Sequence, residues 1–359
     1  MQKYFALIAA FLLLPLSAQA GSWSYDVSGT AHALYGHRDV STRYKHKQNN
    51  EKAVGYAELN LSTEYKFDED TNLGLYVDVM KNANRSTRTL NNGSWGKEVY
   101  GIFNSSYGRL MIGETYNIAH QFHQSEENIL SPTNLLTNPN WNRKENRVFF
   151  KTLTSTSIDT DGVAPKITYI TPGFKDTYLG VSYINNINNR RGLVNKQLSY
   201  QNNEGYVASI YNEFDAYYFD IYSSIAYAEF HGTDKEISAS LKLKRGNWNL
   251  SSGYHKAYID GKKYGISADL SDNYREGYAW DVGLGYEFGP FTGTLTYLNS
   301  KSDNTDNEDR LITLSGKYQH NKYLDFYLGA SHVDYQGQDN NISNNNKGYI
   351  FITGLGVNF

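Results

Sequence analysis

Three residues spaced at three, His120, His123 and Glu126, are the chain's nearest approach to a metal-ligand pattern. On one helical turn they would bring two imidazoles and a carboxylate to the same side. No acidic partner is evident to orient the imidazoles, and polar loops carry such residues as a matter of course, so neither a metal nor a cofactor is expected. Nucleophilic chemistry has no better footing: the sequence holds no G-x-S-x-G elbow, no H-E-x-x-H, no phosphate-binding glycine loop and no cysteine, and no enzyme is expected. The chemistry that remains is charge. Glu126 and Glu127 are followed by Arg143, Lys144 and Arg147 in one long segment, and acids facing bases across a narrow passage would set up a transverse field on dissolved ions.

The elements that must position this segment are strands. Period-two alternation runs from Trp23 to Phe359 and is cleanest over residues 236–244, 279–288 and 349–359. In the second of these Trp280, Val282, Leu284, Tyr286 and Phe288 share one face, and Asp281 and Glu287 lie on the other. One greasy and one wet side fit either a soluble sandwich or a membrane barrel. The connections separate the two. Tight turns at 68–71, 105–107, 172–175, 214–216, 244–246, 289–290 and 320–322 alternate with polar loops at 36–52, 84–96, 117–163, 186–203, 231–235, 259–275, 301–308 and 336–347. Short links on one side and long ones on the other are the asymmetry of outer-membrane barrels, and seven turns with eight loops give about sixteen strands.

Export is written at the start. Residues 1–20 carry Lys3, an apolar run from Tyr4 to Leu14 and an Ala18-Gln19-Ala20 cleavage pattern, so a signal peptide over 1–20 and a single barrel domain over 21–359 are expected. With no cysteine, no disulfide framework holds the exported chain. The 34 Lys and Arg against 37 Asp and Glu give no basic face for nucleic acid. The 32 tyrosines and the polar mean hydropathy of −0.60 fit a wall that needs apolar atoms only on alternate residues, with aromatic girdles at both interfaces.

The fold class expected is thus all-β, a transmembrane antiparallel β-barrel of about sixteen strands. Closure is required, because an open edge in hydrocarbon leaves unpaired backbone groups costing several kcal/mol each. Such a barrel encloses a lumen too wide for side chains to fill. The segment 117–163 is the long third loop, expected to fold into that lumen, with Glu126, Glu127, Arg143 and Arg147 at a constriction. Alternation places Glu58, Glu64 and Asp78 on the lumen wall, with Lys242 and Lys317 supplying positive charge.

Three stretches resemble the general porins of Gram-negative bacteria, the trimeric sixteen-stranded family. Residues 106–117, SYGRLMIGETYN, are similar to the family's fifth strand entering its inward third loop. Residues 165–184, PKITYITPGFKDTYLGVSYI, resemble the hairpin that follows that loop. The stretch GYIFITGLGVNF, with Tyr349, Phe351 and Phe359 on one face, resembles the terminal strand that the barrel-assembly machinery reads. The resemblance implies a homotrimer in lipid and lipopolysaccharide, passing ions and small hydrophilic solutes. Two departures stand out. The family's Pro-Glu-Phe-Gly-Gly segment is missing near Gln124 to Pro132, and Asp26, Glu58, Glu64 and Asp78 occupy first-strand faces where a basic cluster is expected, which points to a mild cation preference. An oligosaccharide-selective channel, with Tyr76, Tyr178, Tyr218 and Tyr222 inward, and a barrel-anchored adhesin are the alternatives.

Overall fold

The computed structural model describes residues 21–40, 51–82, 98–125, 155–186, 204–230, 234–258, 276–303, 308–336 and 346–359. Residues 1–20, and Glu126, Glu127, Arg143, Lys144 and Arg147, lie outside them.

The strands are β1 (Ser22–Val40), β2 (Glu51–Lys66), β3 (Asn72–Asn82), β4 (Glu98–Ser105), β5 (Gly108–Thr115), β6 (Ala164–Ile170), β7 (Thr177–Ile184), β8 (Gly205–Ala216), β9 (Phe219–Phe230), β10 (Asp234–Arg245), β11 (Trp248–Tyr258), β12 (Gly277–Phe288), β13 (Phe291–Ser302), β14 (Glu308–Asn321), β15 (Leu324–Gln336) and β16 (Asn346–Asn358). A short helix, α1 (Ile118–Phe122), follows β5. Each strand pairs antiparallel with its sequence neighbours, and β1 pairs with β16 to close the ring. Two backbone bonds finish the seam: Gly29 N donates to Phe359 O at 2.8 Å, and Phe359 N to Gly29 O at 3.0 Å. Closure removes every edge that lipid could not satisfy.

Burial runs opposite to that of a soluble sandwich. Leu328 is 68% and Ile225 63% exposed, whereas Glu236 and Ser238 are 1% exposed. In a closed ring the crowded face is the concave one, so most polar residues point inward and most apolar ones outward, as a wall between lipid and water requires, while Leu34, Val333, Ile350 and Ile352 form an apolar patch on the inward face. Aromatic pairs on the outer face mark its two edges. Near the turns are Trp248 with Tyr286, at 4.3 Å, and Phe291 with Tyr318, at 4.7 Å. Near the loops are Tyr183 with Tyr206, at 5.2 Å, and Trp280 with Tyr297, at 5.0 Å. Rings with an apolar body and a polar tip suit both boundaries.

Strand limits differ from the sequence expectation in two ways. The hairpins read at 214–216, 244–246 and 320–322 are two-residue links at Tyr217-Tyr218, Gly246-Asn247 and Lys322-Tyr323. Asp215 and Lys244 have turn-like composition, yet their backbones stay paired with Asp220 and Asn249; the φ > 0 positions are Tyr217 and Gly246. On the loop side β1 runs on to Val40, which pairs with Gly348. Polarity ends the lipid-facing stretch there without ending the ladder, because each strand still has a partner for its hydrogen bonds.

Candidate pore lumen

The third long loop (L3) leaves β5 and turns at once along the inner wall. Asn117 starts α1 as its N-cap, accepting from His120 N at 2.9 Å. Ile118 N donates to Ser182 Oγ on β7 at 3.0 Å, and Gln124 N to Ser240 Oγ, near the middle of β10, at 2.8 Å. The returning limb is held further round: Thr156 Oγ1 donates to the Asp281 carboxylate on β12, and the Ser155 carbonyl lies 3.1 Å from His255 Nδ1 on β11. The wall residues Ser182, Ser240, His255 and Asp281 all belong to the inward faces. The described limbs of L3, residues 117–125 and 155–163, therefore lie inside the barrel at mid-height, against the wall from β6 to β12.

Two glycines make that approach possible. A Cβ on Gly180 of β7 would lie 2.2 Å from Ile118 Cγ1, and one on Gly253 of β11 would lie 2.3 Å from Thr156 Oγ1. Any larger residue at either place would lift a limb of the loop off the wall.

The two limbs meet at a polar root. The Asn117 amide donates to Ile158 O at 3.0 Å and to Asp161 Oδ1 at 2.5 Å. Lys166 Nζ on β6 sits 2.6 Å from Asp161 Oδ2 and donates to Gly162 O at 2.9 Å and to Thr115 O. The limbs also bond each other: His120 Nδ1 and Ser157 Oγ are 3.1 Å apart, and His123 Nε2 and Thr156 Oγ1 are 3.0 Å apart. Because Thr156 gives its proton to Asp281, it accepts from His123 Nε2, which leaves His123 Nδ1 as the bare nitrogen. Burial first, then the neighbouring His120 and His255, hold the His123 ring down to about 3. His120 and His123 thus act as loop staples. Their proposed companion Glu126 lies outside the described residues.

The wall residues named from sequence fall as follows. Glu58 pairs with Thr30 and Met80, and Glu64 with Ser24 and Gly74. Asp78 pairs with Asn60 and Glu98. All three occupy inward positions of β2 and β3. Lys242 pairs with Tyr222 and Ser251 on the inward face of β10, eight strands round the ring from β2. Lys317 pairs with Thr292 and Tyr327 on the inward face of β14. The β10 to β12 wall also holds the buried acids Asp234 and Glu236, with Glu236 2.9 Å from His255 Nε2. Tyr349, Phe351 and Phe359 lie exposed on the outer side of β16. Tyr76, Tyr178 and Tyr222 are inward, whereas Tyr218 sits in the β8–β9 turn, exposed, because the hairpin falls two residues later than its composition suggests.

A family profile described as Gram-negative porin matches residues 6–338. This chain belongs to the Gram-negative porins. As such it is an outer-membrane channel for the passive diffusion of solutes, and its family is one of channels rather than enzymes. Several solved structures share the fold of this porin at low identity. OmpF of Salmonella typhi, in complex with daunomycin, has a TM-score of 0.64 at 15% identity, over 93% of this chain and 97% of that one. An anion-selective porin from Comamonas acidovorans gives 0.59 at 13%, over 94% and 100%. OmpT of Vibrio cholerae in a trimer form gives 0.60 at 10%, over 95% and 100%. Comparison with curated proteins by sequence found no match.

Sequence reasoning missed the residues that dock L3. Lys166 carried a signal, as a cation on the inward face of a strand that otherwise reads apolar. Gly180 and Gly253 carried none, since glycines are common on such faces and their partners lie far away in the chain.

Proposed function

We propose that solutes cross this porin through a passage narrowed by L3, with Glu126, Glu127, Arg143 and Arg147 on the loop and Glu58, Glu64 and Asp78 on the wall. Lys242 and Lys317 supply the opposing charge. The observation that carries this reading is the anchoring of both limbs of L3 at mid-height, through Gln124 to Ser240 and Thr156 to Asp281. A loop fixed there divides the lumen, and acids on the remaining wall bias it toward cations. The channel works as a homotrimer among lipid and lipopolysaccharide, and its catalytic complement is nil. Tyr349, Phe351 and Phe359 serve the assembly machinery as the insertion signal. Reversal potential across a planar bilayer under a potassium chloride gradient tests the passage: the sign of potassium permeation is expected, and the sign of chloride permeation overturns the selectivity. Light scattering of the detergent-purified protein tests the assembly, with three protomer masses expected.

A further inference from the structure

Beneath L3, on the turn side of the lumen, lies a cavity of about 320 Å³ whose lining mixes three kinds of chemistry. Phe122 from α1 roofs it, and the Tyr178 and Tyr211 rings stand beside it; Phe122 and Tyr211 are 5.3 Å apart, Tyr178 and Tyr211 6.1 Å. Arg109, from the start of β5, lines it with its guanidinium held by Nε donating to Asn104 Oδ1 at 2.7 Å. Asn104 is itself steadied by donating to Asn72 Oδ1 at 2.6 Å. Glu213 of β8 completes the lining, accepting from Tyr211 OH at 3.2 Å. Among the described residues no ion pair joins Arg109 to Glu213, so the cavity presents a cation and an anion that do not neutralise each other, with an aromatic wall between.

We propose that this cavity is a binding station for small zwitterions with an aromatic side chain, of the size of an amino acid or dipeptide. A guanidinium fixed through Nε still offers its terminal N–H groups to a carboxylate as a two-pronged donor. Glu213 accepts an ammonium, and the ring trio takes the side chain edge-on or offset. The volume is at the lower end of small-molecule pockets, a match for one amino acid or dipeptide. Its place on the turn side of α1 makes it the last stop of a solute that has passed L3, and the proposal rests on the diffusion-channel reading.

The test is ion current through single channels of the full protein, with glycyl-phenylalanine as probe. Added on the turn side, it is expected to give concentration-dependent blocks, weaker when added on the loop side. Arg109→Gln and Glu213→Gln should each weaken the block about tenfold, each measured against the open step of that same variant. On the wild-type channel, the N-acetylated probe should lose what Glu213→Gln loses, and the amidated probe what Arg109→Gln loses. These two need no variant to fold. Blocks that are insensitive to both substitutions, or reproduced by maltose or by the capped probes, overturn the station. A wild-type channel that conducts but shows no block overturns it too, whereas absence of any open step would instead sink the channel reading.

Discussion

The Lys166 ammonium lies 2.6 Å from the Asp161 carboxylate, and both side chains are wholly out of solvent. One belongs to the barrel wall and the other to L3, so this pair nails the loop's returning limb to β6. Burying two charges is costly, and the cost is met by their close approach together with Asn117, Gly162 O and Thr115 O. Removing one partner leaves an uncompensated charge at a cost of about 3–5 kcal/mol. Lys166→Met should therefore free the root of L3, seen as faster proteolysis within the loop and noisier open-channel current. Pairing it with Asp161→Asn should restore much of the wild-type behaviour.

Gly180→Val gives a second, independent way to unseat the loop. The added Cβ would fall 2.2 Å from Ile118 Cγ1, and overpacking of this kind costs about 1–3 kcal/mol. The barrel itself should survive, with its strand signal in circular dichroism intact. Channel conductance should become larger or more variable as α1 leaves the wall.

Acidification should act through His123. Its folded-state value of about 3 lies below the usual 6.5, so the docked loop binds fewer protons than the released loop between these limits. Docking strength is then complete above about pH 6.5 and declines as pH falls toward 3. Current noise recorded down a pH series should rise within that window. His123→Gln should flatten the dependence.

Glu58→Gln with Asp78→Asn removes two inward acids facing the L3 wall. The potassium-to-chloride permeability ratio should fall by about twofold, since such charges act by focusing counter-ions in the lumen. Reversal potential reads the change directly, and an unchanged ratio would place selectivity elsewhere.

Much of this architecture was legible because lipid and water impose a period of two. The outward set of Tyr349, Phe351, Leu355, Val357 and Phe359 on β16, and the inward Glu58, Glu64 and Asp78, follow from alternation alone, and the strand number follows from the rhythm of turns and loops. The docking of L3 was not legible. Gln124 and Ser240 are 116 residues apart, and Thr156 and Asp281 are 125 apart. Nothing local in a serine or an aspartate says which distant backbone it will meet. Helix α1 was legible only as a conditional turn through His120 and His123, because five residues are too few for a 3.6 period to declare itself.

Whether an open aqueous passage runs through this barrel is read from the conductance of the purified protein in planar lipid bilayers. The structure predicts discrete, ohmic current steps whose size scales with the conductivity of the bathing salt. Insertion into the bilayer without any current step would contradict it.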